Sequence, residues 1–338
     1  MGWWRNGRRS GLKIRRGNTH VGSSPTRPTM LTSLRERFRG SLLGLATGDA
    51  VGTTLEFKSP GTFRPIIDMV GGGPFDLRPG EWTDDTSMAL CLAESLIHSR
   101  GFDAADQMRR YINWRDNGHL SSNGECFDIG ITVNSALNRF EQSGNPFAGS
   151  TDPYSAGNGS MMRLAPVPMF YAADPELAIQ MSGESSRTTH GAATCVAACR
   201  YLGGLIVGAL NGIEKLDLLS PYYKPAGERW SSGDFPEQIA AIAAGSFKEK
   251  SPPAIKGTGF VVDSLEAALW AFHNSETFED GCLVAANLGN DADTTAAVYG
   301  QLAGAYYGEG GIPARWLDKL AHRQLITGFA DRLFALAS

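Results

Sequence analysis

The sequence predicts an all-α domain, on three observations. Apolar residues recur at the three- and four-residue spacing of a buried helical face through most of the chain. No train of alternating strands occurs, and no repeat of fixed period. Clusters of Pro and Gly punctuate the periodic segments without a long linker. The length of 338 residues fits one large domain or two ordinary ones and can bury a sizeable core. Charged residues are 20% and apolar residues 42%, the composition of a globular chain. The 41 glycines follow no Gly-X-Y period, which excludes collagen.

Taken in order, Leu34, Phe38, Leu42 and Leu45 mark one face of a first helix that ends near Gly48 and Gly52. A second helix, Thr86 to His98, is rich in Ala, Leu and Met. Further helices are expected at about 103–116, 130–142, 174–183, 191–210, 234–247, 261–274, 278–288, 294–307 and 313–336. The gaps carry Gly71-Gly-Gly-Pro74, Gly144-Asn-Pro146, Ala156-Gly-Asn-Gly159 and Ser251-Pro-Pro253. Residues 211–260 mix Pro, Gly and aromatic residues with little periodicity. They are expected to run over the surface, at the entrance to the site. Residues 30–338 thus read as one domain.

Charge divides the chain unevenly. Residues 1–29 hold seven basic side chains and no acid, whereas the remainder holds 24 basic against 35 acidic side chains, a formal −11. An acidic body argues against binding to a nucleic-acid backbone. The tail lacks both periodicity and the apolar core of a secretory signal, and is expected to be disordered. Val21 to Thr29 resembles the translated end of a transfer-RNA gene, so Met30 is the expected natural start and the tail a start-site artefact or inert, the alternatives being a transit peptide or a basic nucleic-acid-binding arm. The five cysteines, an odd count without Cys-x-x-Cys, argue against a zinc ribbon or disulfide scaffold. Cys195 and Cys199 lie four apart and share a helical face. The longest apolar stretch, Tyr201 to Leu210, is too short to span a bilayer. A cytoplasmic protein without membrane or nucleic-acid partners is expected.

Two acidic runs open helices: Trp82-Thr-Asp-Asp-Thr86 and Asn290-Asp-Ala-Asp-Thr-Thr295. Alone, each has an ordinary explanation, because Asp and Thr cap helices and negative charge suits a helix N-terminus. As a pair they offer several hard oxygen donors within single turns, which suits Mg²⁺ or Mn²⁺ rather than zinc. Converging carboxylates without a cation would repel one another. Either the runs lie far apart or metals sit between them. Asp49 reads as structural, holding backbone donors in the turn that follows it. Glu56 stands between Leu55 and Phe57, apolar neighbours that could raise its pKa toward a useful value.

These residues carry a resemblance. The ordered set Gly40, Gly44, Gly48-Asp49-Ala50, Glu56-Phe57, Trp82-Thr-Asp-Asp85, Gly157-Asn-Gly159, Met162-Arg163, Thr189-His190 and Gly289-Asn-Asp-Ala-Asp-Thr294 is similar to the ADP-ribosyl-glycohydrolase family, bacterial members above all. The match runs from about 33 to 325. The resemblance implies an orthogonally packed helical domain with a binuclear Mg²⁺ or Mn²⁺ centre. It implies Thr83, Asp84 and Asp85 as one ligand cluster and Asp291, Asp293 and Thr294 as the other. Glu56 and Asp128 match catalytic positions, Asp128 the one implicated in arginine-linked hydrolysis. Asn158, Gly159, His190 and Phe260 match positions around an ADP-ribose pocket, with Phe260 able to stack on the ligand. Three positions depart from the family pattern: Ile131 stands for a usual Asn, Asn290 for a frequent Gly, and Ala296 for a common Gly. Ile131 puts the leaving-group preference in question.

The implied activity is metal-dependent removal of ADP-ribose from protein side chains, arginine first, by a monomer. Alternative readings are hydrolysis of ADP-ribosyl-serine or of a small ADP-ribosyl compound, or ADP-ribose binding without turnover. No Rossmann fingerprint or Gly-x-Ser-x-Gly elbow competes with these.

Overall fold

A computed structural model describes residues 32–337, and the basic tail lies outside them. Among the described residues there is no β-strand, only three isolated bridges. The helices are α1 (Leu34–Gly52), α2 (Asp84–Ser99), α3 (Ala104–Asn117), α4 (Ile131–Ser143), α5 (Pro166–Phe170), α6 (Pro175–Arg187), α7 (Ala193–Leu210), α8 (Lys215–Leu218), α9 (Glu237–Ala244), α10 (Val261–His273), α11 (Phe278–Ala286), α12 (Ala292–Tyr307), α13 (Ala314–Leu317) and α14 (Arg323–Ala337). The fold is all-α.

Helix α1 starts where the sequence supplies a reciprocal cap. Ser33 Oγ accepts from Glu36 N at 3.2 Å, and the Glu36 carboxylate accepts from Ser33 N at 2.7 Å. Such a cap contributes about 1 kcal/mol. From Gly40 onward every residue of α1 is buried.

The reason is its partner, α12. A Cβ on Gly40, Gly44, Gly48 or Gly52 would stand 2.2, 2.3, 2.1 or 2.3 Å from the carbonyl oxygen of Gly304, Gly300, Ala296 or Ala292. Each contact is far below van der Waals distance, so these positions admit only glycine while the helices keep their spacing. The paired numbers run in opposite directions, so the helices are antiparallel. One backbone lies directly on the other. Asp49 on α1 and Asp293 on α12 sit at the same end of this contact, beside Gly48 and Gly52.

Helix α7 forms much of the core behind the site, packing against α6, α12 and α10. Cys195 and Cys199 are buried on it, as their spacing implies. Over its 18 residues it is longer than the apolar stretch read from sequence, and long and apolar enough to cross a membrane, yet 78% of it is buried inside the protein. Its apolar surface is spent on the core.

Some elements differ from expectation. The helix expected at 313–336 is two, because Ala321 N donates to Gly80 O and His322 takes a left-handed φ of 51°. The helix expected at 234–247 shortens to α9, opened by Pro236 and closed by Gly245 at φ 105°. The segment 211–260 is not a surface excursion. Trp230, Phe235, Ile239, Ile242 and Phe247 are buried in the main core, and only its end, Thr258 and Gly259, reaches the cleft. Apart from Ile239 and Ile242 on the short α9, its anchors are the irregularly spaced aromatics Trp230, Phe235 and Phe247, which bury apolar area without a period. Helices α5 and α8 are too short to leave one either.

Candidate active site

One cleft, of about 810 Å³, collects most of the residues singled out by sequence. Glu56, Asp84, Asp128, Asn158, Gly159, His190, Asp291, Asp293 and Thr294 all line it. Thr83, Asp85 and Phe260 do not. Asp85 and Thr83 lie fully buried behind it. Phe260 is half-buried against the main core, its backbone paired with Gly157.

The acidic residues come from four places. Helix α2 brings Asp84 and Asp85 in its first turn, and α12 brings Asp293, with Asp291 as its N-cap. Glu56 follows the short helical turn after α1, and Asp128 lies in the loop before α4. Asp49 joins them from α1. Its Oδ1 accepts from Thr83 N at 2.9 Å and Thr83 Oγ1 at 3.0 Å; its Oδ2 accepts from Thr86 N at 3.0 Å and Thr86 Oγ1 at 2.6 Å. Asp49 is therefore structural, but the donors it holds start α2 rather than its own following turn. The N-terminus of α2, with its exposed amides and positive dipole end, is anchored to α1 by one carboxylate.

Thr83 Oγ1 also faces Asp293 Oδ2 at 3.3 Å and Asp85 Oδ2 at 3.4 Å, and Thr294 Oγ1 donates to Asp85 Oδ2 at 3.3 Å. The two acidic runs thus meet rather than lying far apart. Asn158 Nδ2 donates to Asp291 Oδ2 at 2.6 Å. Sequence reasoning placed Asn158 at the ligand; the structure shows that its amide also orients an acid.

The backbone around the cleft is unusual. Phe57, Asp128 and Asn290 take left-handed φ values of 59°, 60° and 55°. Such conformations cost a non-glycine residue on the order of 1–2 kcal/mol, least for Asn and Asp. Asn at position 290 therefore keeps a geometry that Gly would supply. Phe57 N donates to Asn290 O at 2.6 Å and Asn290 N to Lys58 O at 2.8 Å, locking the Glu56 loop to the start of α12.

The electrostatics follow from burial. Burial first, then the Asp128, Asp291 and Asp49 carboxylates, push the Glu56 carboxyl up to about 10. Burial first, then Asp291 and Asp49, push Asp128 up to about 7. Asp84, Asp85 and Asp293 are raised well above the ordinary carboxylate range, by burial and then by one another and their acidic neighbours. Burial raises Asp49 to about 6 despite its four hydrogen bonds. No basic side chain is among the causes of these shifts.

Glu56 Oε2, Asp85 Oδ1 and Asp293 Oδ1 are buried carboxylate oxygens without a hydrogen-bond partner. Leaving anionic oxygens unpaired is costly unless a cation meets them. One oxygen each from Glu56, Asp128 and Asp293 lies within 4.8 Å of the other two. An all-oxygen, acid-rich, orphaned donor set fits a divalent cation such as Mg²⁺ or Mn²⁺.

Comparison with known proteins identifies the family. The ADP-ribosylglycohydrolase family profile matches residues 30–338. The chain belongs to that family. It is 44% identical over 302 residues to the ADP-ribosylarginine hydrolase Tri1 of Serratia proteamaculans, covering 89% of this chain and 80% of that one. It is 31% identical to the ADP-ribosyl-[dinitrogen reductase] glycohydrolase of Rhodospirillum rubrum, over 90% of this chain and 98% of that one. A solved structure described as an ADP-ribosylglycohydrolase-related protein complex superposes with a TM-score of 0.79 at 42% identity, covering 91% of this chain and all of that one. This ADP-ribosylglycohydrolase is a hydrolase with an all-α fold.

Proposed function

We propose that this ADP-ribosylglycohydrolase removes ADP-ribose from arginine side chains of modified proteins, as a cytoplasmic monomer with two Mg²⁺ or Mn²⁺ ions. The observation that carries the reading is the meeting of Glu56, Asp128 and Asp293 in the cleft, with orphaned oxygens on Glu56 and Asp293. The two Tri1 relatives, at 44% and 46% identity, are named for arginine-linked hydrolysis, which supports the linkage.

Thr83, Asp84, Asp85, Asp291, Asp293 and Thr294 would hold the ions, with Asp85 and Thr83 contributing from behind the cleft wall. Bound ions supply positive charge that offsets the carboxylates, gathers ribose hydroxyls and makes water more acidic. Glu56, which burial and its acidic neighbours raise to about 10, would be returned to its carboxylate form by that positive charge and then accept a proton from the attacking water. The water oxygen bonds to the anomeric carbon as the bond from that carbon to the arginine nitrogen breaks. Asp128 faces the leaving guanidine and delivers a proton to its nitrogen, a role suited to a carboxyl raised toward neutrality. The glycines at 157 and 159 let backbone approach the phosphates.

Ile131 is 87% exposed at the cleft mouth and adds no polar contact for a guanidinium. This favours, as the second reading, a serine-linked or small-molecule leaving group at the same centre.

The test is release of ADP-ribose from arginine- and serine-linked peptides and from small ADP-ribosyl compounds, with Mg²⁺, Mn²⁺ or chelator. Arginine-linked release that chelation abolishes and Glu56→Gln slows by about 100-fold or more is expected. Turnover that survives chelation or Asp293→Ala sinks the metal mechanism. Faster release from serine moves the substrate to the second reading.

A further inference from the structure

Arg163 is fully buried and forms no ion pair among the described residues. Its guanidinium lies 4.6 Å from the centre of the Tyr111 ring. It donates to Gly159 O at 3.0 Å and to Thr189 Oγ1 at 2.7 Å, and reaches Thr188 Oγ1 at 3.5 Å. Its Nε has no partner. A buried cation met by neutral oxygens, a ring face and the Met88 sulfur at 3.9 Å, but by no carboxylate, is an unfavourable way to fill a core, and hydrolysis by Glu56 and Asp128 does not use it.

The chain of contacts continues from Arg163 to the cleft. Thr189 is fully buried, and its Oγ1 lies 2.9 Å from His190 Nδ1. A guanidinium can only donate, so Thr189 Oγ1 accepts from Arg163 and has one proton to give. His190 Nδ1 is its remaining partner. Were Nδ1 protonated, two donors would face one oxygen and a buried hydroxyl proton would have no acceptor.

The backbone on either side holds the ring in place. His190 N donates to Ser186 O at 2.7 Å and Ser186 Oγ donates to His190 O at 2.9 Å. The other edge of the ring stands over the glycine turn: a Cβ on Gly157 or Gly159 would lie 3.5 or 3.2 Å from Nε2. Nε2 has no hydrogen-bond partner among the described residues, and the ring lines the cleft.

We infer that Arg163 is a positioning residue which, through Thr189, fixes His190 as the neutral tautomer protonated at Nε2, so that the ring presents a standing hydrogen-bond donor to a phosphate oxygen in the cleft. Burial and then the Arg163 charge push His190 down to about 3, which keeps the ring neutral. A neutral donor adds a hydrogen bond to an anionic ligand without binding a proton of its own. The tautomer stands without the ADP-ribosyl reading; only the phosphate as acceptor rests on it.

The experiment is nitrogen NMR of the full chain with ¹⁵N-labelled histidine, the His190 signals assigned by their loss in His190→Gln. The wild type is expected to show a protonated Nε2 and an unprotonated Nδ1. Arg163→Met and Thr189→Val should populate the Nδ1-protonated form, and Arg163→Lys and Thr189→Ser should restore the original one. ADP-ribose affinity, by calorimetry, should fall about tenfold in the two disruptive variants, the loss of one hydrogen bond. If Arg163→Met fails to fold, Thr189→Val carries the comparison. A wild-type ring protonated at Nδ1, or a tautomer unchanged in both disruptive variants, overturns the proposal. An altered tautomer with unchanged ADP-ribose affinity overturns the phosphate contact. A wild type that does not bind ADP-ribose at all fails the functional reading, while the tautomer result is decided by the NMR alone.

Discussion

Burying His190 beside the Arg163 guanidinium makes stability depend on pH. Its folded pKa, about 3, lies below the ordinary value of 6.5, so the unfolded chain takes a proton that the folded chain refuses. The stability it leaves intact is complete above pH 6.5 and declines as pH falls toward 3. At pH 5 the wild type should lose about 2 kcal/mol relative to pH 7.5 from this residue, at 1.36 kcal/mol per unit. Urea unfolding of wild type and His190→Gln at both pH values checks this; equal losses would refute it. The acidic cluster has the opposite sign. Each raised carboxyl supports folding below its unfolded pKa, and that support is lost as pH rises through the folded value. At pH 7.5 a divalent cation should therefore raise the melting temperature by several degrees, by about 2.7 kcal/mol of linkage at a hundredfold excess over Kd. Asp293→Asn should lose most of that response in a thermal-shift series with and without chelator. At this scale the sequence was informative about acids and poor about neighbours. The two acidic runs and Glu56 were legible because charge at helix starts is a local signal. The attachment of Asp49 to Thr83 and Thr86, of Asn158 to Asp291, and of Arg163 to Thr189 joins residues 26 to 133 positions apart, and no local pattern encodes such pairs.

At the scale of elements, the contact between α1 and α12 is the most exposed to mutation. Gly48→Ala places a Cβ 2.1 Å from Ala296 O. Backbone cannot yield as a side chain can, so the loss should exceed ~2 kcal/mol. The same change should weaken the cation-dependent thermal shift, because α1 carries Asp49 and α12 carries Asp293. Gly328→Ala on α14 is the control. Nothing lies within 4 Å of its Cβ position, so a gain of about 0.5–1 kcal/mol is expected from helix propensity. Chemical denaturation of both variants checks the contrast. The four-residue spacing of Gly40, Gly44, Gly48 and Gly52 is visible in the sequence, but its partner is not. Long periodic helices such as α2, α7 and α12 were legible because each repeats its apolar face over several turns. Helices α5, α8 and α13 span five residues or fewer and show no period. The 211–260 region failed as a surface excursion because burial there rests on scattered aromatics and on the two turns of α9, too short a helix to set a clear period.

At the scale of the whole molecule, the first and last of the described helices meet. Asp331 on α14 accepts from Arg35 and Arg39 on α1 at 2.7 Å each, and the arginines hold its carboxyl well below the usual range. Ile326, Phe329 and Leu333 of α14 are buried in the core. Each contributes about 1.5–3 kcal/mol, against a typical total stability of 5–15 kcal/mol. Truncation after Ala321 should therefore abolish cooperative unfolding, as read by circular dichroism during heating; a truncated chain melting like the full one would contradict it. The formal −11 of the body also takes on a location, since seven of its acids, Asp49 included, gather around one cleft. The bare backbone contact of α1 with α12 has one more consequence. Main-chain radii, not side-chain sizes, set the spacing between the two helices that carry Asp49 and Asp293. It works as a gauge block: descendants of this chain are free to exchange most of their core residues over evolutionary time, and the separation of the acids is inherited unaltered as long as the glycines remain.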